Sequence, residues 1–243
     1  PQMQSSLYVA LSSQIALERR LTTIADNVAN ANTTGFRATE IKFDEVVENS
    51  GPVNVSYVDQ GTDFLSTMSG GFSQTGNPLD FAITGDGWFQ LETPNGNVLT
   101  RDGRFNLSPA GELVNVDGYP VLDVGGAPIQ LNPNAGAPKV GKDGGIYQNG
   151  ARVGRLGLFT ADVNAGYVRA GSLGIITADQ PEPVVDRTDI GVTQGFLEDS
   201  NVNPVAEMSQ LIMVSRAFEN ASILMRDTEE TLKEAIKTLG NGR

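Results

Sequence analysis

Asp80, Asp86 and Glu92 are the side chains whose type and closeness in the chain could do chemistry, as the acid and base of a carboxylate-dependent hydrolase acting on cell-wall glycan. Asp102 adds a fourth carboxylate, and with Asp80 and Asp86 it could in principle hold a cation. All three aspartates stand in turn contexts, however, where Asp bonds its own backbone, and that structural reading wins. Gly85-Asp86-Gly87 looks like a piece of a phosphate loop, but no helical pattern with a downstream Lys follows it. Asn115 to Gly118 lacks the ligand count of a calcium loop. Trp88 and Phe89 alternate across an expected strand, so at least one belongs in a core; the other could serve an extracellular adhesin as a sugar platform. The chain contains no Cys and no His, which removes disulfides, thiolate or imidazole metal sites and every His-based nucleophile pair. No catalytic, cofactor-binding or metal residue is assigned, and no cofactor is expected.

The elements that must position these residues follow from where Gly and Pro fall. Of 28 Gly, none precedes Gly35 and none lies between Gly195 and Gly240. Pro is absent from Gln2 to Gly51 and again after Pro204. Both ends therefore read as helix and the middle as turn-rich β structure. Charge follows the same partition: of the formal net charge of −12, nearly all falls in the middle of the 243 residues, while both ends are close to neutral. Such an acidic balance argues against a nucleic-acid partner. No apolar run approaches the roughly 20 residues of a membrane span, so no membrane insertion is expected, and no signal-peptide pattern is seen.

At the N-terminal end Leu7, Ala10, Gln14, Leu17, Leu21, Ile24, Val28 and Ala31 step by threes and fours, a heptad seam with one polar interruption. Leu11 and Ile15 widen the stripe, more than one partner helix can cover. The C-terminal end repeats the design, with Asn203 as cap and Pro204 in the first turn. Its seam runs through Met208, Leu211, Ser215, Phe218, Ser222, Met225, Glu229, Leu232, Ile236 and Leu239. Neither helix hides its seam alone. They pair as an internal antiparallel hairpin, or pair and then pack on copies from other subunits. Asn27 and Asn30, poor residues for a helix interior, either cap locally or offer amides to neighbouring subunits. The expected fold is α+β: long terminal helices paired as a coiled coil around a central all-β domain. The expected segments are a helix over 1–35, an extended linking arm over 36–72, a β domain over 73–202 and a second helix over 203–243. Within the β domain, strands are expected over 81–83, 88–91, 98–101, 104–107, 113–116, 119–122, 145–147, 152–159 and 174–178.

Four stretches then look familiar together. IADNVANANTTGFR (24–37) resembles the N-terminal signature of the flagellar rod and hook axial proteins, and TGNPLDFAITGDGWFQ (75–90) their shared central motif. TRDGRFNLSPAGELVNVDGYPVL (100–122) continues that motif, and GFLEDSNVNPVAEMSQLIMVSRAFENAS (195–222) resembles the C-terminal signature. Length and the opening LYVALSS look most like the proximal-rod type, ahead of the distal-rod type and the hook subunits. The resemblance implies a structural protein, not an enzyme, of the basal-body rod in the periplasm, exported by the flagellar type III apparatus without a cleaved signal peptide. It implies helical self-association and contact with proximal and distal rod neighbours, transmitting torque from motor to hook. The subunit interface would then involve Leu7, Leu11, Leu17, Leu21, Ile24, Asn27, Val28, Asn30, Asn203, Met208, Leu211, Phe218, Met225, Leu232 and Ile236.

Overall fold

A computed structural model describes residues 2–42, 45–48, 55–58 and 62–242. The chain forms two compact units, one of residues 1–29, 39–64 and 203–243 and one of residues 30–38 and 65–202. The first is built on helix α1 (Gln2–Ala29) and helix α2 (Pro204–Gly240), the second on short antiparallel strands, so the chain is α+β.

Sequence decides where each helix stops and starts. α1 ends at Ala29, two residues earlier than its seam suggests. Asn30 leaves the helix for a turn in which its carboxamide oxygen accepts from Thr33 Oγ1 at 3.1 Å and its carbonyl from Thr33 N at 3.1 Å. α2 opens on Asn203, extended at φ −91° and ψ 103°, whose Oδ1 accepts from Ala206 N at 3.2 Å, with Pro204 next. Glu207 in the first turn and Lys237 in the last suit the helix dipole. The two helices pack together and run antiparallel: Gln14 Nε2 donates to Ser222 Oγ at 3.2 Å, while nearer the other end Asn27 meets Glu207. Gln14 and Ser222 are polar positions of the two seams, and their meeting fixes the register. Thr39–Lys42 pairs with Thr62–Leu65, and Glu45–Glu48 pairs antiparallel with Val55–Val58 in the same region of chain where an extended arm is expected. Residues 43–44, 49–54 and 59–61 of the expected arm lie outside the described residues.

The β unit contains a four-stranded sheet in the order Tyr167–Arg169, Ile175–Thr177, Gly96–Thr100, Phe89–Thr93, surrounded by smaller antiparallel pairs. Pro94-Asn95 forms the two-residue link of the hairpin over 89–100. Two expected strands come out differently. Tyr119–Leu122 makes only single bridges, Val114 with Pro120, Leu91 with Val121 and Leu122 with Pro128, because Pro120 cannot donate to a ladder. Arg152–Phe159 divides into Ala151–Arg155 and Phe159–Thr160. At Gly157, between them, a Cβ would come within 2.6–2.7 Å of the backbone of Leu122 and Asp123. The core is aromatic and aliphatic: Phe89 meets Phe105 edge-on at 5.1 Å between ring centres, with Phe81, Ile83, Leu91, Leu113 and Leu156 almost fully buried around them.

One ionic cluster closes this unit. Glu198, with no exposed surface, accepts from Arg101 Nε at 2.7 Å and Nη2 at 2.5 Å on one oxygen. Its other oxygen takes Arg37 Nη2 at 2.8 Å and Gly70 N at 3.3 Å. Arg101, 2% exposed, also donates to the carbonyls of Ile83, Gly85 and Gly87 at 2.9, 2.9 and 2.5 Å, so the Gly-Asp-Gly turn wraps a guanidinium. Arg37 reaches the carbonyls of Thr67 and Met68. Burial pushes its guanidinium down to about 10, with Arg101 adding to that and Glu198 and Asp86 opposing it, so it stays charged at neutral pH. Asn201 completes the closure, accepting from Ala38 N at 2.7 Å and donating to Met68 O at 2.9 Å. Gly35 lies against the Arg101–Asp102 peptide with φ +69°, where a Cβ would sit 2.5 Å from backbone atoms.

Removing one member of a buried charge cluster typically costs ~3–5 kcal/mol, because the remaining charge is left unpaired. Glu198→Ala is expected to lower the stability of the β unit by about that amount in urea unfolding followed by Trp88 fluorescence; a loss under ~1 kcal/mol would contradict the assignment. A fragment of residues 30–202 is expected to fold cooperatively, whereas residues 39–202, which lack Gly35 and Arg37, are expected to melt well below it in the same measurement.

Candidate subunit interface

A lone pair of helices can bury only one stripe on each member, and the exposure of the side chains shows what is left over. Among the described residues of α1 and α2 the buried positions are Ala16, Ile24, Asn27 and Val214. Leu7, Leu17, Leu21 and Val28 on α1 and Leu211, Phe218, Met225 and Leu232 on α2 are half-buried. Leu11 and Ile15 remain exposed, as do Met208 and Ile236. Of the α2 positions, the one fully buried is Val214, which stands off the expected seam.

The sequence reading missed a second set of apolar residues. Tyr8 on α1 and Val205, Ile212, Met213, Ile223 and Leu224 on α2 are all more than half exposed, from 51% at Ile223 to 75% at Val205. The signal was present in the runs Leu211-Ile212-Met213-Val214 and Ile223-Leu224-Met225, since consecutive residues point round a helix and cannot share one partner.

The asparagines are used inside the chain. Asn27, 2% exposed, donates through Nδ2 to Thr39 O at 2.9 Å and accepts through Oδ1 from Thr39 N at 3.1 Å, clamping the strand Thr39–Lys42 to α1. Asn30 holds the turn after α1 and Asn203 caps α2. Beside Asn27, burial raises the Glu207 carboxyl above the usual carboxylate range; its bond to Asn27 opposes this, Glu40 adds to it and Arg20 opposes it.

The carboxylates weighed for chemistry are hydrogen-bonded or exposed. Asp80 Oδ2 accepts from Thr75 Oγ1 at 2.7 Å, and Asp102 forks onto Arg104 at 2.9 and 2.7 Å. Asp86 and Glu92 are exposed. Among the described residues no group of three or more acidic, His or Cys side chains could hold a metal ion, and no helix is long and apolar enough to cross a membrane. Trp88 is half-buried and packs on the cluster of Leu65, Leu99 and Phe159.

Comparison with known proteins gives this surface its context. Residues 7–37 match a family described as flagella basal body rod protein, residues 82–148 the flagellar hook protein FlgE/F/G D1 domain, and residues 193–238 the flagellar basal body rod FlgEFG protein C-terminal family. The flagellar basal-body rod protein FlgF of Rhizobium meliloti (strain 1021) is 60% identical over 99% of this chain and 100% of its own length. FlgF of Mesorhizobium japonicum is 59% identical over 98% and 99%. The basal-body rod protein FlgG of Bacillus subtilis (strain 168) is 31% identical over 96% and 98%. The chain belongs to the FlgF family of flagellar basal-body rod proteins.

Proposed function

We propose that the chain is a structural subunit of the proximal rod of the bacterial flagellar basal body, self-associating helically and carrying torque from motor to hook. The observation that carries this reading is identity of 60% to a FlgF rod protein over the whole length of both chains. The lower identity to FlgG, 31–32% in two relatives, favours the proximal over the distal rod. Export through the flagellar type III apparatus, without a cleaved signal peptide, belongs to the same reading.

The exposed apolar residues of the helices supply the adhesion. The antiparallel pair, held in register by Gln14 and Ser222, forms a coiled-coil element whose outer faces pack on neighbouring copies and on adjoining rod subunits. Leu11, Ile15, Met208 and Ile236, together with Ile212, Met213 and Leu224, are the residues turned outward for that contact. Leu7, Leu17, Leu21, Ile24, Val28, Leu211, Phe218, Met225 and Leu232 support it from within the pair. Contacts between different faces of successive copies generate an open helical array rather than a closed ring. Both helical ends are close to electroneutral, 2 basic against 2 acidic over residues 1–35 and 5 against 6 over 204–243, which lets copies approach without strong repulsion.

Leu11→Asp and Ile212→Asp place a carboxylate where an apolar contact is proposed, at a cost of ~2 kcal/mol or more per interface, whereas the exposed turn change Asp86→Ala should cost under ~0.5 kcal/mol. In a strain lacking the native subunit, the two helix variants are expected to fold but fail to restore rod assembly and swimming, and Asp86→Ala to restore both. Full motility with Leu11→Asp and Ile212→Asp combined would overturn the proposed interface.

A further inference from the structure

Beside Glu207 the helical unit contains a groove of mixed lining. Its lining includes apolar Ile24, Ile41 and Phe64 and polar Glu40, Glu207 and Gln210. Glu207 Oε2 is shielded from solvent and has no hydrogen-bond partner among the described residues. A buried acceptor in that condition is unfavourable until something donates to it. Arg20 lines the groove too, so one cation faces two carboxylates and the site keeps a net negative charge. A lining that combines apolar side chains with carboxylates suits a long side chain with an apolar stem and a cationic head.

We infer that this groove is a socket for a basic side chain carried by α2 of a second copy of the chain. The inference rests on the self-association proposed above. Charge complementarity selects the occupant: Arg216, Arg226, Lys233 and Lys237 are exposed on α2, and none forms an ion pair among the described residues. The socket adds direction to an otherwise apolar interface. A stem lying on Phe64 and Ile41 with its head on Glu207 fixes where one copy sits on the next, which exposed leucines and methionines cannot do.

The test uses the full-length chain, with self-association measured by sedimentation equilibrium and folding by circular dichroism melts. Glu207→Lys should weaken association on the order of 30-fold or more, as expected for loss of a desolvated charge pair, with an unchanged helix content. Combining it with one of Arg216→Glu, Arg226→Glu, Lys233→Glu or Lys237→Glu should restore association. If Glu207→Lys melts early, Glu207→Gln, which keeps the shape and the Asn27 contact, is read in its place and should weaken association and reduce its salt dependence. Association of Glu207→Lys or Glu207→Gln at wild-type strength overturns the socket while leaving the rod assignment standing. Failure of all four reversals to restore it overturns the socket as well. A wild-type chain that neither associates at any concentration nor enters rods overturns both.

Discussion

The burial of Glu198 between Arg37 and Arg101 is the constraint on which the β unit depends. A carboxylate with no exposed surface is tolerable only when each of its oxygens is engaged, and here two guanidiniums and a backbone amide engage them. The two cations exceed the one anion, and the surplus is met by carbonyl oxygens of Ile83, Gly85, Gly87 and Thr67. Buried ion clusters add little net stability compared with a well-packed apolar core. What this one supplies is specificity: it dictates which segments meet. It joins Arg101, in the middle of the β unit, to the segments by which the chain leaves and re-enters that unit, residues 30–38, 65–70 and 198–202, and Asn201 ties those three together through Ala38 and Met68. Each residue of the ionic cluster comes from a different one of the three matched family regions, 7–37, 82–148 and 193–238.

The two units differ in how complete they are. In the β unit an aromatic core is closed off from solvent, with Phe81, Phe89 and Phe105 all at 1% exposure or less, while Met68, Phe72 and Val168 stay exposed. In the helical unit Met208, Ile212, Met213, Ile223 and Leu224 of α2 are exposed. An antiparallel pair can hide one stripe per helix, and a sequence with apolar runs all round the helix needs cover on further sides. On the self-association proposed above, such a unit would gain part of its stability from association, by mass action. A rod subunit of this family is a structural part, so incompleteness of this kind has a use.

Much of this was legible in the residues. Exclusion of Gly and Pro marked both helices, the heptad picked out Ile24 and the half-buried positions, and Pro94-Asn95-Gly96 placed its hairpin. Three things were not legible, each for a physical reason. Glu198 stands in the stretch Leu197-Glu198-Asp199, which reads as surface, and its partners lie far away in sequence, where no local pattern can find them. Short strands such as Lys139–Val140 and Glu182–Pro183 are defined by their partners rather than by propensity. The outer apolar face of α2 was hidden because a heptad template keeps the residues that fit and passes over those between, so Ile212 and Leu224 were discarded along with true surface positions.

Polar and apolar residues of the signature segments thus carry separate tasks. Asn27, Asn30, Asn201 and Asn203 spend their amides on their own chain, clamping a strand, shaping a turn, tying the closure and capping a helix. Amide bonds are directional and lose their worth when geometry shifts slightly, so they suit contacts within a subunit whose shape must be reproduced copy after copy. Apolar contact is non-directional and roughly proportional to area. It tolerates small adjustments of one helix on another and suits a face that meets several neighbours at different angles. A chain that keeps its amides inside and presents isoleucine, leucine and methionine outside joins a rigid part to a compliant joint. That division would suit the array of identical subunits proposed above.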